Sequence, residues 1–268
     1  MTGGAHRLLA ADAAGVTFNP GAAFTANTGF IGNAFGTAPA GSVVFSSGST
    51  YTHVSGSSPF GNNPPAGAVA VFQAGSLFNI RNVSGYQSGG RTYANLTVDL
   101  QPPGPLTGNG TANFQFQTLT VNPGNSFTHN GTGPSRVTIT GEIVESSSNN
   151  INLLSGSGGI MFAQVGAQAI AGSGTGSVFI SSAATVQSGT TLALSRTLSF
   201  SGAGSLTVLG SLQINDSGII NATPTYPATA ASSTTRRTRS SSATSGTPAR
   251  TSGSVCRATS RSRRTAPR

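Results

Sequence analysis

Along this chain, short apolar runs alternate residue by residue with polar ones, and Gly, Asn and Pro separate the runs. One phrase, Phe-x-x-Gly-[Ala/Ser]-x-aromatic, recurs as Phe18–Phe24, Phe45–Tyr51 and Phe72–Phe78. Its copies are 27 residues apart (45 − 18 and 72 − 45). Each is entered by an apolar residue two positions before the first Phe: Val16, Val43 and Ala70. The apolar-x-Phe alternation puts both side chains on one face of a strand. The Gly then turns the chain, and the next aromatic opens a second short strand. A second aromatic-Gly corner follows at Asn33-Ala34-Phe35-Gly36 and Ser58-Pro59-Phe60-Gly61, and Pro39, Pro64 and Pro65 fall between units. Strict self-similarity at this period marks units that stack on their neighbours.

The middle of the chain keeps the theme with looser spacing. Residues 95–100 and 114–121 read as alternating strands, Val121-Asn122-Pro123-Gly124-Asn125-Ser126-Phe127-Thr128-His129 restates the phrase, and 137–144 follows about one unit later. Residues 83–90 and 102–110 have the composition of loops extruded from the stack. From 160 to 220 short strands such as Val178-Phe179-Ile180, Leu198-Ser199-Phe200 and Leu206-Thr207-Val208 are separated by Gly and Ser. No window carries the 3.6-residue period of an amphipathic helix, with a reservation at 166–171.

This pattern predicts an all-β fold: a right-handed parallel β-helix, or β-solenoid, with units of roughly 20–27 residues. Apolar residues would point into a narrow lumen and small polar ones outward. An antiparallel sandwich is the competing architecture, since it too has short strands and turn signals. The fixed 27-residue interval favours the solenoid. The expected organisation is an irregular lead-in over 1–15, solenoid repeats over 16–226 and a disordered Ser/Thr/Arg-rich tail over 227–268.

Composition supports many thin strands over one thick core. Charged residues make up only 7% of the 268 residues, and Gly contributes 37. The net charge of +9 is concentrated at one end. Residues 1–226 carry five Arg and five acids (Asp12, Asp99, Glu142, Glu145 and Asp216), and the other nine Arg lie from Arg236 onward. The body is therefore neutral. The tail has almost no large apolar residue and cannot bury enough to order itself. Its Arg residues have no interleaved aromatics on which bases could stack, so a nucleic-acid partner is not favoured. The composition breaks abruptly after Tyr226. A shifted reading frame can turn Ser codons into apolar ones and Thr codons into Asn, so the tail is expected to be a reading-frame artefact, with a genuine Ser/Thr/Ala-rich linker as the alternative. The lone Cys256 excludes a disulfide framework. Nothing is long and apolar enough to suggest a transmembrane helix. The first residues lack the pattern of a secretory signal, so export would place this chain inside a longer parent.

The phrases over 43–53 and 204–215 resemble repeat units of large exported bacterial surface proteins. The texture over 16–226 is similar to the repeat-rich β-solenoid regions of proteins sent out by the type IX secretion route, and more loosely to autotransporter passengers. The resemblance implies a parallel β-solenoid, an extracellular or cell-surface address, and a stalk or adhesin-like role.

Candidate chemistry is sparse. Glycoside hydrolysis needs paired carboxylates at one site. Glu142 and Glu145 are the only acids close in sequence, and their odd separation sends them to opposite faces of a continuing strand. They, Asp99 and Asp216 read as solvated outward carboxylates. His53 and His129 each follow an aromatic and a Thr, but Ala26 holds the equivalent place in the first copy, so both read as surface histidines and not metal ligands. The Gly-rich stretches 155–159 and 172–176 lack the Lys and helix start of a phosphate cradle and read as corners or flexible loops. Thr118-x-Thr120 and Thr138-x-Thr140, twenty apart (138 − 118), would form two rungs of the Thr ladder of ice-binding solenoids, too few to carry that function. Sequons at Asn82 and Asn130 are what such a composition produces by chance.

No catalytic, cofactor or metal residue is assigned from the sequence. The expected function is a non-enzymatic structural or adhesin-like segment, with polysaccharide or cell-surface components as partners. The alternative is a carbohydrate-active enzyme, a lyase or glycosidase, on the same fold. An exposed cluster of acids and Arg would favour the enzyme, and a bland polar face the stalk.

Overall fold

In the computed structural model the recurring phrase is a turn that joins two strands of a solenoid. The structure describes residues 2–8, 10–35, 39–57, 69–83, 86–227 and 234–236. In the first three copies the residue after Phe accepts a hydrogen bond from the N–H three positions on: Asn19 from Ala22 at 2.9 Å, Ser46 from Ser49 at 3.0 Å, Gln73 from Ser76 at 3.0 Å. The third turn residue is Gly21, Gly48 or Gly75, with φ of 81°, 77° and 83°. A positive φ at that position defines a type II turn, and Gly adopts it without steric penalty. Asn122-Pro123-Gly124-Asn125 repeats the geometry, with Pro123 where a type II turn favours it. The small residue after the Gly faces inward, and its hydroxyl, where present, returns to the turn. Ser49 and Ser76 donate to the Ser46 and Gln73 carbonyls at 2.7 Å.

The strands follow in chain order. The first rung is β1 (Val16–Phe18) and β2 (Ala23–Ala26), and the second β3 (Val43–Phe45) and β4 (Thr50–His53). The third holds β5 (Ala70–Phe72), β6 (Leu77–Ile80) and β7 (Tyr86–Gln87), the fourth β8 (Thr92–Val98) and β9 (Pro105–Gly110), and the fifth β10 (Phe114–Val121) and β11 (Ser126–Gly131). Then come β12 (Arg136–Ile139), β13 (Ile143–Glu145) and β14 (Ile151–Leu154), and β15 (Gly159–Phe162), β16 (Gly166–Ala171) and β17 (Ser177–Ile180). The last full rungs are β18 (Ala183–Val186), β19 (Thr190–Leu194) and β20 (Thr197–Phe200), and β21 (Ser205–Val208), β22 (Ser211–Ile214) and β23 (Ile219–Ile220). A final strand, β24 (Thr234–Arg236), pairs in parallel with β22.

Among the described residues every strand pairing is parallel, within sheets of 3, 14 and 7 strands, and the solenoid makes about eight turns. The described residues contain no helix. The inward position of the second side runs unbroken through Phe24, Tyr51, Phe78, Leu96, Leu119, Ile143, Ile170, Leu194 and Ile214. Its steps range from 18 residues (96 − 78) to 27. The fixed period is thus a property of the first rungs, and later rungs change length at their corners while the column stays in register.

Phe18, Phe45 and Phe72 stack in one column, with ring centroids 4.6 and 4.9 Å apart and nearly parallel planes. Phe24, Tyr51 and Phe78 form a second column beside it, at 5.7 and 5.1 Å. Tyr93 and Phe114 carry the rings to the fifth rung, after which Ile, Leu and Val, with Phe162 and Phe200, fill the lumen.

Several local expectations change. The segment 166–171, held open as a helix, is strand β16. The stretches 83–90 and 102–110, read as extruded loops, contribute β7 and β9 to the third sheet. Their glycines allow close stacking: a Cβ on Gly108 would meet the Ser88 hydroxyl at 2.5 Å, and one on Gly110 would collide with Gly89. Residues 4–8 and 10–14 carry no strand, yet Ile31 N–H donates to Gly4 at 3.1 Å, Leu8 N–H to Ala34 at 2.7 Å and Ala14 N–H to Gly41 at 2.8 Å. They lie along the third side of the first rung. The tail expected over 227–268 lies outside the described residues apart from Pro227 and β24.

Candidate functional site

Alternation on a strand sorts side chains into lumen and surface, and register then stacks each kind into columns. On the second side, one outward column is Thr25, Thr52, Asn79, Thr97 and Thr120. The column two residues earlier is Ala23, Thr50, Leu77, Asn95 and Thr118. All but Ala23 and Leu77 are Thr or Asn, and none is charged. Rungs are ~4.8 Å apart and i, i+2 positions ~6.6 Å apart, so hydroxyls, methyls and amides form an uncharged, largely half-buried grid. Beyond the fifth rung the same columns pass to Glu142 and Val144, then to Ala169 and Ala171. The stacking of Thr118 and Thr120 on Thr138 and Thr140 does not occur. Thr138 lies opposite Gln115, on the first side of the rung, while Thr120 lies opposite Thr97. The sequence interval of twenty is not a rung length here, since β10 spans two sides and pairs with both β12 and β13.

At the corner after the second side, Arg81, Asp99 and Asn122 follow β6, β8 and β10. Arg81 Nε lies 3.3 Å from Asp99 Oδ2, and Asn122 Nδ2 and Gln101 Nε2 donate to Asp99 Oδ1 at 3.1 and 3.3 Å. This ladder links successive rungs. Asp99 is committed to it, while Glu142 and Asp216 are exposed on separate parts of the surface.

Glu145, expected to be solvated, is instead fully buried. It occupies the inward column of Val98 and Val121. Ser147 N–H donates to its Oε1, and Arg196 Nη2 lies 3.8 Å from Oε2. The Gly-rich run 172–176 wraps this carboxylate. Gly174 N–H donates to the Glu145 carbonyl at 3.2 Å, and a Cβ on Gly172 or Gly174 would collide with the Glu145 or Ser147 backbone. The run is therefore a packed corner. Burial pushes the Glu145 carboxyl above its ordinary value, against the Ser147 hydrogen bond and the Arg196 charge. Glu145→Gln keeps an acceptor for Ser147 and removes the desolvated charge, so its urea midpoint at neutral pH is expected to match or exceed the parent's. Glu145→Ala leaves the Ser147 N–H and Arg196 without that partner and should lower stability by about 1–3 kcal/mol.

His53 and His129, expected on the surface, are fully buried. The equivalence with Ala26 was correct, but all these positions face the lumen: Ala26, His53 and Ile80 form one inward column. His53 Nδ1 shares a hydrogen bond with the Tyr51 hydroxyl at 2.7 Å. His129 Nδ1 shares one with Ser88 Oγ at 2.6 Å, and its ring stacks on Phe114 at 4.9 Å. Burial lowers both imidazoles to a pKa of about 4. Close by, Tyr86 and Tyr93 interact through their hydroxyls, both of which burial pushes up, while Arg91, 3% exposed, lowers them. Ser88, Arg91 and the inward Gln168, which donates to the Ile139 carbonyl at 3.0 Å, carried no sequence signal. They stand outside the recurring phrase, and only register shows that they face inward.

The Ser88–His129 pair resembles half of a nucleophilic triad, but neither residue touches solvent. Among the described residues, no group of three or more His, Cys, Asp or Glu could hold a metal ion. No described helix is long and apolar enough to cross a membrane. The lumen polar groups are enclosed, and the uncharged Thr/Asn columns lie half-buried on the outer face of the second side. No protein-family model, curated protein or solved structure matches this chain.

Proposed function

We propose that this chain is a non-enzymatic, adhesin-like structural segment of an extracellular or cell-surface protein, and that its Thr/Asn grid contacts neutral polysaccharide. The observation that carries the reading is the uncharged double column on β2, β4, β6, β8 and β10. Neutral glycan hydroxyls pair with Thr hydroxyls and Asn amides without desolvating a charge, and repetition along the stack sums many weak contacts. The scattered acids favour this reading over the carbohydrate-active enzyme. The cell-surface address rests on the resemblance of the repeats to exported surface proteins.

The test is co-sedimentation of the full chain with a panel of insoluble neutral polysaccharides. The triple variant Thr52→Val, Thr97→Val, Thr120→Val keeps β-branching and shape and removes three hydroxyls. At about 0.5–1.5 kcal/mol per hydrogen bond it should weaken binding at least roughly tenfold. Equal binding by the triple variant, or no binding to any polysaccharide, would overturn the proposal. Release of sugars from the polysaccharide would move the reading to the enzyme.

A further inference from the structure

We propose that the third side of the solenoid carries a stacking site for a β-1,4-glucan, a neutral glycan with equatorial hydroxyls, centred on Phe179. The inference rests on the reading above that the partner is a neutral polysaccharide, and it adds the sugar class and a contact face separate from the second side.

Phe179 lies in β17 between Val178 and Ile180, both fully buried, so alternation turns its ring outward. The ring is half-buried. Every other described Phe and Tyr belongs to the core or packs against it, and Phe179 does neither. Register places it in an outward column that reads Thr107, Thr128, Asn152, Phe179 and Ser199. One ring thus interrupts a column of hydroxyls and an amide. A Thr would suit the strand at this position as well as it does at 107 and 128, so the ring adds an apolar surface that the fold does not use.

The surroundings of the ring specify the occupant. Strands β9, β11, β14, β17 and β20 contain no Asp, Glu, Lys or Arg, and their one His, His129, faces the lumen. An ionic ligand therefore finds no counter-charge on this face. A pyranose with equatorial hydroxyls presents C–H bonds on its flat faces and O–H groups around its rim. The C–H face covers the Phe179 ring, and the rim meets the polar groups on either side. Asn152 Nδ2 donates to Thr128 Oγ1 at 3.1 Å, which holds the amide in place beside the ring, and its Oδ1 is an acceptor for a sugar O–H. In the next outward column Asn109 and Asn130 lie in register, both exposed. From Phe179 to Thr107 is three rung steps, ~14 Å at ~4.8 Å per rung, so a glucan laid along the stack meets one polar row after another.

The probe is cellohexaose, titrated into the full chain and followed by proton NMR. Stacking places sugar C–H protons over the face of the ring. Upfield shifts of those protons, and nuclear Overhauser contacts between them and the Phe179 ring, are expected at millimolar hexaose. Phe179→Thr continues the column and leaves the core untouched, so it should abolish the upfield shift with an unchanged thermal melt. The second-side triple variant Thr52→Val, Thr97→Val, Thr120→Val should retain the shift. No upfield shift with the parent, or an equal shift with a folded Phe179→Thr chain, would overturn the inference. So would loss of the shift in the triple variant, or Overhauser contacts to second-side residues in place of Phe179, which also decide the matter if Phe179→Thr does not fold. Co-sedimentation of the same parent sample separates the two readings. Binding to an insoluble polysaccharide without a hexaose shift overturns this site alone, and failure of both overturns the polysaccharide reading as well.

Discussion

Phe45→Ala should lower the unfolding free energy by about 3–5 kcal/mol. Phe45 is fully buried and held between Phe18 and Phe72 at ring distances of 4.6 and 4.9 Å. Removing the ring takes away its own burial and one face of contact from each neighbour. The register of β1, β3 and β5 is set by backbone bonds, so the walls cannot close on the cavity. Phe18→Ala should have a smaller effect, because Phe18 is half-buried and stacks on one side only. Urea denaturation of the two variants measures the difference. Equal losses would mean that the column does not end where the structure ends it.

Acid should be the second large effect, acting through His53 and His129. Burial lowers both imidazoles to about 4, against about 6.5 in an unfolded chain. Above pH 6.5 both states are neutral and the native state bears no penalty. As pH falls from 6.5 towards 4, the unfolded chain takes up protons that the native lumen excludes. Stability then drops by about 3 kcal/mol per ring and levels off below 4. Glu145, whose carboxyl is raised by burial, works in the opposite sense: its protonation favours the native state as pH falls. Ile80 and Leu153 are the next residues in the two histidine columns, so His53→Ile with His129→Leu is the matched replacement. Urea midpoints between pH 7 and 4 should fall steeply for the parent and much less for the double variant. Parallel slopes would show that the two rings titrate as freely as in an unfolded chain.

The first three rungs were legible because their turn is written in residues with one job each. Gly supplies the positive φ, Ser or Ala fits the inner corner, and the two aromatics sit at fixed offsets on either side. Past Phe78 the rung length changes, so spacing alone no longer identifies the partner of a residue, and the Thr ladder was stacked on the wrong side. The glycines of β7 and β9 read as loop because their packing role lies in the neighbouring rung. Burial of His53, His129 and Glu145 was missed for a related reason. A polar residue on an alternating strand reads as surface, and its hydrogen-bond partners Tyr51, Ser88 and Ser147 become visible only when the lumen is closed. The outward Thr/Asn character, by contrast, follows from alternation and was expected.

The most direct test of the parallel stack is nuclear Overhauser contact between backbone protons in residues 16–80. The structure requires Val44 to contact both Thr17 and Val71, and Thr52 to contact both Thr25 and Asn79, every pair separated by 27 residues. Contacts between pairs whose residue numbers sum to a constant, the mark of antiparallel hairpins, would contradict the solenoid.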